Sequence, residues 1–450
     1  MTMVPRLFGT NGVRGVVNDD MDVNLALRLG KAIGRFMGGK VALATDTRTS
    51  GAMLKHAMIA GLTAVGVEVM DLGVLPTPAI QYYVKLHDDV KGGVMITASH
   101  NPPQFNGIKC IDGDGTEMPR AKEEVIEDYY QSDVPCVSWD QVGGVQKVSG
   151  AVERYVDDIV SRVDAEAIRK AKLKVVLDCA NGAAVYTMPL ILDRLGVRAI
   201  TLNSDAQGKF PGHPSEPTAE NLVDLISLTR ESKAHLGIAL DGDADRSVFV
   251  ADGGEFVPGD RSLALVSKVM LKKKKGTVVT PVSSSSLVED VVRKAGGMLV
   301  YTAVGSPIVA RKMMEIGAIF GGEENGGLIF PEHQYCRDGG MTAAKMLESI
   351  VFFGPLSEQL QELPVYHVEK RKIVCSNQQK EEIMRSLSER CAQDRLDCTD
   401  GLKVLFDDGW VLIRPSGTEP IFRIYSESRD PGLCRERADK FEVMLLEYLN

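Results

Sequence analysis

Ser99 and His100 stand side by side in VMITASHNPPQFNGIK (residues 94–109), at the end of an apolar run, and Lys109 follows ten residues on. A buried strand that stops on a serine beside a histidine leaves three readings open: a turn, a hydrolase nucleophile, or a serine that carries a transferred group. No G-x-S-x-G elbow occurs in the chain, which counts against the hydrolase. A second stretch, LDGDADR (240–246), alternates Asp241, Asp243 and Asp245. In an extended segment these carboxylates share one face, and three like charges at such spacing repel unless a cation lies among them. Hard oxygen ligands suit Mg²⁺, and the spacing is not that of an EF-hand. An acidic solvent loop is the plainer alternative, although the stretch follows an apolar strand, where α/β proteins place ligands.

Two more stretches carry recognition chemistry. RPSGTEP (414–420) offers the planar fork of Arg414, the hydroxyls of Ser416 and Thr418 and the open backbone of Gly417, with Arg423 nearby. That inventory fits a phosphate cradle or a plain turn. GGEENGG (321–327) combines glycines that let a ligand approach with Glu323, Glu324 and Asn325, which can read sugar hydroxyls. Arg14 in LFGTNGVRG and Arg48 in TDTRTSG, each on a glycine-containing loop, read in isolation as surface arginines. There is no Walker A sequence and no G-x-G-x-x-G, so a nucleotide is not indicated.

The elements that must hold these residues alternate. Strand-like runs at 40–45, 67–73 and 93–98 flank a helical pattern at 53–65, and similar runs recur at 173–184, 197–203, 235–252 and 276–327. This predicts three related α/β domains. The last stretch, with a strand at 366–375, a helix at 377–393 and a hairpin across Asp407-Asp408-Gly409, predicts a smaller α+β domain. The expected domains are 1–150, 151–253, 254–365 and 366–450, with a hinge near 365–370. A 450-residue chain that is 44% hydrophobic has apolar material for several cores. Its net charge of −9 argues against a nucleic-acid-binding face, and the basic run at 272–275 reads as a solvated helix end rather than a binding patch. Eight scattered cysteines show no metal spacing, so reduced thiols and a cytoplasmic location are expected. No run approaches the ~18 apolar residues of a membrane span.

A serine, a metal triad, a phosphate cradle and a sugar-reading loop, if brought to one cleft, fit phosphoryl transfer at the serine. T-A-S-H-N-P (97–102), D-G-D-x-D-R (241–246), the glycine-glutamate loop (322–327) and the R-x-S-x-T cradle (414–420) occur here in the order that marks the α-D-phosphohexomutase superfamily. The chain resembles that family over nearly its whole length. The resemblance implies four domains around a central cleft. It also implies a phosphoserine at Ser99 and an exchange of hexose 6-phosphate and 1-phosphate through a 1,6-bisphosphate, which also serves as activator. By the same resemblance, Asp241, Asp243, Asp245 and the Ser99 phosphate hold Mg²⁺, and Arg14 and Arg246 face the transferring phosphate. His100 and Lys109 are candidates for proton transfer; a lysine base would need a lowered pKa. Glu323 and Asn325 read the sugar, and Arg414, Ser416, Gly417, Thr418 and Arg423 hold the other phosphate.

The chain departs from many members at Asn325, where they have serine, and at Gly327, where they have histidine; the loop looks like the archaeal branch. LFGTNGVRG resembles the opening of phosphoglucosamine mutases. Glucosamine phosphate is therefore the expected substrate, with Glu323 or Glu324 favouring a 2-ammonium group. Phosphomannomutase/phosphoglucomutase activity of broad specificity is the alternative; a Mg²⁺-dependent sugar phosphatase and a silent sugar-phosphate binder are more remote ones. The expected partner is a small sugar phosphate, with no nucleic acid or membrane, for a monomer or homodimer.

Overall fold

The computed structural model describes residues 7–9, 12–417 and 419–449. Four sheets follow one another along the chain. In the first, Lys40–Thr45 lies at the centre, parallel to both Glu68–Val74 and Val90–Ile96. Phe105–Ile111 then returns antiparallel to Val90–Ile96, and Val13–Val16 adds antiparallel at the edge. The central strand is buried at five of its six positions, because the helices Val23–Met37, Gly51–Ala64 and Thr77–Leu86 cover both faces of the sheet. The connection between Val90–Ile96 and Phe105–Ile111 is the serine loop.

The second sheet repeats the plan. Lys174–Asp178 pairs parallel with Arg198–Leu202 and Leu236–Leu240, and Ser247–Ala251 returns antiparallel to the latter. The aspartate loop is that return. In the third sheet Thr277–Pro281 pairs parallel with Met298–Thr302 and Phe320–Gly322, while Leu328–Phe330 returns antiparallel. The glycine-glutamate loop is again the return. Each of the three sheets is thus mixed, and each sends one chemically equipped loop out between a parallel strand and its antiparallel neighbour.

The fourth sheet is antiparallel throughout, ordered His367–Val374, Ile421–Ser428, Gly409–Pro415, Leu402–Phe406, Arg395–Asp397. Phe406 pairs with Gly409 across Asp407 and Asp408, which is the hairpin read from the sequence. The helices Lys380–Arg390 and Pro431–Leu446 accompany it. The first three units share a continuous apolar core running from Ile80 and Tyr82 through Tyr155 to Leu263 and Met341. Helix Gly339–Phe353 is buried through its first twelve residues because it lies inside that core. The fourth unit has its own core, including Leu402, Val411, Phe422 and Phe441. It meets the third through the small cluster Val282, Trp410 and Leu412. Among the described residues, no helix is long and apolar enough to cross a membrane, and all eight cysteines are free thiols. Helix Gly259–Lys273 ends in the basic run, where Lys272 lies exposed over the rings of Phe352 and Phe353.

Candidate active site

Ser99 is 1% exposed and holds a left-handed backbone (φ 51). That conformation would suit glycine better, so a side chain kept there points to a need for its hydroxyl. Its Oγ donates to Asp241 Oδ2 at 2.8 Å and lies 3.4 Å from His100 Nδ1. Its amide donates to Thr97 Oγ1. The loop is gripped from below by Arg48, whose guanidinium donates to the carbonyls of Ser99, Asn101, Pro102 and Phe105 at 2.6–2.9 Å. Asp46 pairs with its Nε at 3.1 Å. Arg48 is therefore not the surface arginine that the sequence suggested; it is 3% exposed and satisfies four carbonyls of one bend.

The three aspartates do come together, with one carboxylate oxygen of each lying within 4.8 Å of the others. The route differs from the expected extended alternation. The segment turns, with Ala244 left-handed (φ 57) and its amide donating to Asp241 O at 3.1 Å. Asp243 Oδ2 accepts from Lys109 Nζ at 2.7 Å and from Thr77 Oγ1 at 2.6 Å. Asp245 Oδ2 accepts from Arg337 at 2.6 Å. The second oxygens, Asp243 Oδ1 and Asp245 Oδ1, are buried with no hydrogen-bond partner among the described residues. Burial and the two neighbouring carboxylates push Asp241 well above the usual carboxylate range. Orphaned oxygens beside a crowded acid are what a hard divalent cation would satisfy, so the donor set fits Mg²⁺.

A cavity of about 960 Å³ opens beside this centre and is lined from all four units. Arg14, His100, Asn101 and Arg246 form one wall, Glu323, Asn325 and Arg337 another, and Gly417, Glu419 and Arg423 a third. Ser99 and the aspartates lie behind the first wall, since His100 faces Ser99 Oγ and the Arg246 amide donates to Asp241 Oδ1 at 3.2 Å. Arg14 donates to Asn101 Oδ1 at 2.7 Å and Arg246 to His100 Nδ1 at 3.1 Å. Burial, then Arg246 and Arg14, hold the imidazole down at about 3, so His100 is neutral. Lys109 differs from the lowered-pKa base weighed from the sequence. Burial pulls its ammonium down, but Asp243 and Asp245 outweigh that and the net shift is upward.

The structure brings Glu323, Asn325, Gly417 and Arg423 to the cavity. Ser416 Oγ accepts from the Glu419 amide at 3.1 Å and shapes the cradle turn. Arg414 pairs with Asp400 at 3.0 Å, and Asp400 in turn accepts at 3.0 Å from the amide of Val304, a residue of the cavity lining. Glu324 does not line the cavity. Thr418 lies outside the described residues. Glu216 and Arg337 are among the site residues that went unnoticed in the sequence. Glu216 pairs with Arg246 at 3.3 Å and with His100 at 3.4 Å, and Arg337 joins Asp245 to Glu323. Neither belongs to a motif with chemistry of its own; the one available signal was an Arg-Asp pair (337–338) before a glycine-started helix.

Models of phosphoglucomutase/phosphomannomutase α/β/α domains I, II and III match residues 5–134, 153–254 and 258–366, and that of the C-terminal domain matches 369–442. A phosphoglucomutase/phosphomannomutase of Thermococcus kodakarensis is 40% identical, covering 98% of each chain. A probable phosphoglucosamine mutase of Methanopyrus kandleri is 43% identical, covering 97% of each. The crystal structure of a phosphoglucomutase/phosphomannomutase family protein from Burkholderia thailandensis superposes with a TM-score of 0.87 at 28% identity, over 98% of this chain and 97% of that one.

Proposed function

The chain belongs to the phosphoglucomutase/phosphomannomutase family, a phosphohexomutase family, and from that premise we propose that it interconverts glucosamine 6-phosphate and glucosamine 1-phosphate. Ser99 is the residue through which the phosphoryl group passes. The observation that carries this is its Oγ, 2.8 Å from the metal-type triad and directly behind a cavity lined from all four units. Phosphorylated Ser99 gives its phosphoryl group to the free hydroxyl of the sugar phosphate, the P–Oγ bond breaking as the new P–O bond forms. The resulting 1,6-bisphosphate turns over in the cavity, and its other phosphoryl group returns to Oγ. Added bisphosphate primes a dephosphorylated serine by the same transfer.

Mg²⁺ held by Asp241, Asp243 and Asp245 would neutralise charge on the phosphoryl group. Arg14 and Arg246 place two guanidiniums on the same wall to meet its remaining oxygens. His100 is the neutral acceptor on that wall and takes the hydroxyl proton. Incoming phosphate offsets the two guanidiniums that depress its basicity. Lys109, behind the wall, holds Asp243 and Asp245 in place. Arg423 and the 416–417 turn across the cavity anchor the phosphate that is not moving, and Glu323 and Asn325 read the ring. Domains 1–150, 151–253, 254–365 and 366–450 each contribute one of these loops.

Preference for glucosamine rests on Glu323, a carboxylate in the cavity wall. Broad specificity is the second reading, favoured by the ion pair that Arg337 makes with that carboxylate at 3.4 Å. Purified protein with Mg²⁺ and a trace of hexose 1,6-bisphosphate, offered glucosamine, glucose and mannose phosphates separately, decides between them. A clear kcat/KM advantage for glucosamine phosphate is expected, with Ser99→Ala inactive. Equal or better turnover of glucose or mannose phosphate would overturn the sugar assignment, and steady release of inorganic phosphate would make it a phosphatase.

A further inference from the structure

Arg337 ends the strand Gln334–Arg337 and is 7% exposed at the cavity wall. Its guanidinium is shared among acids from three units. Nη2 meets Asp245 at 2.6 Å and Glu117 at 3.6 Å, and Nη1 meets Glu323 at 3.4 Å. Burial opposes its charge, but these carboxylates outweigh burial and keep it a cation. Gly327 explains how it gets there. A Cβ at 327 would lie 2.3 Å from Arg337 Cδ and 3.0 Å from its Cγ. The arginine stem fills the volume that a side chain at 327 would need. The glycine and the arginine are one arrangement: the loop gives up a side chain, and a cation from the neighbouring strand takes the space.

The consequence falls on Glu323. A carboxylate alone in the wall would favour a 2-ammonium over a 2-hydroxyl group by direct attraction. With a guanidinium on one oxygen, part of that field is cancelled, while the carboxylate still accepts a hydrogen bond from a hydroxyl. We propose that Arg337 sets the sugar selectivity of the site by sharing the Glu323 carboxylate, which lowers the preference for 2-ammonium sugars and admits 2-hydroxyl ones. Arg337 is thus a positioning residue that acts through Glu323. The proposal rests on the reading of this cavity as the hexose phosphate site.

The test is the ratio of kcat/KM for glucosamine 6-phosphate to that for glucose 6-phosphate, a quantity independent of how much of a variant folds. Arg337→Gln is expected to raise it by about fivefold or more, the effect of removing one charge near a carboxylate at a partly hydrated wall. Arg337→Lys raises it less, since one ammonium cannot serve Asp245 and Glu323 together; it also keeps the charge if the glutamine variant does not fold. In a Glu323→Gln background, either change leaves the ratio where it was. Calorimetric binding of the two sugar phosphates to Ser99→Ala, with and without Mg²⁺, is expected to show the same shift in Kd ratio. A purely metal-linked effect through Asp245 would not produce it. Equal losses on both sugars with an unchanged ratio would leave Arg337 a structural residue and overturn the proposal. Turnover surviving in Ser99→Ala would instead sink the underlying site assignment.

Discussion

Gly242, between the first two aspartates, has the serine loop pressed against it. A Cβ there would lie 2.6 Å from the Ser99 carbonyl oxygen, the same oxygen that Arg48 holds at 2.8 Å. A methyl group cannot be added without moving the serine relative to the triad, because the atom it would meet is backbone. Gly242→Ala is expected to lower kcat by about a hundredfold, the scale of a misplacement near 1 Å at a reacting group. Steady-state kinetics with saturating Mg²⁺ would check this; a kcat within twofold of the parent would show that the two loops can separate without cost. The same closeness explains why a strained serine persists: its conformation is imposed from both sides.

The serine loop as an element is held less by its own sequence than by Arg48. Four carbonyls of the bend converge on one guanidinium, which is itself paired with Asp46 and stacked 5.0 Å from the Phe210 ring centre. Prolines 102 and 103 remove two donors that might otherwise have organised the bend locally. Arg48→Ala leaves those carbonyls and a buried Asp46 without their partner and should cost about 3–5 kcal/mol, read as a lower denaturant midpoint. Arg48→Lys should recover only part of it, since an ammonium cannot span four acceptors. Equal stability of the alanine variant and the parent would mean that water replaces the fork.

Across the whole molecule, three units share a core and the fourth does not. The fourth is joined to the third through the small apolar cluster of Val282, Trp410 and Leu412 and through polar contacts around it. Lys403 Nζ donates to the Val282 carbonyl at 2.6 Å and lies 4.1 Å from the Trp410 ring, Trp410 Nε1 reaches Ser286 Oγ at 3.1 Å, and Glu427 Oε1 accepts from the Ser286 amide at 2.9 Å. Burial lowers Lys403 to about 8, against Glu427 and Asp397, which raise it. Between about 8 and 10 the unfolded chain keeps the proton that the folded chain has lost, so the unfolded state binds more protons and stability rises with pH. Relative to Lys403→Met, the parent should gain up to about 1.4 kcal/mol per pH unit in that window and nothing below it. Unfolding midpoints of both proteins at pH 7, 9 and 10 would check it; parallel pH dependence would mean the ammonium stays charged at the interface.

The sequence by itself determined the family and the class of fold. The serine, the aspartates, the cradle and the sugar loop each lie within a few consecutive residues, and the alternation of strands and helices that carries them is a local pattern. Only the tertiary structure decided how they act together. It showed that Arg48 supports the serine loop from within and that the aspartates converge through a turn at Ala244. It paired Arg414 with Asp400 behind the Val304 edge of the cavity and set Arg423 in the lining, and it kept His100 neutral beside two guanidiniums. It joined Glu323 to Asp245 through Arg337, using space that Gly327 leaves empty. These facts depend on side chains separated by tens to hundreds of residues, whose distances are set by how the sheets and helices pack. A sequence lists the charges; their pairing, burial and protonation are properties of packed space.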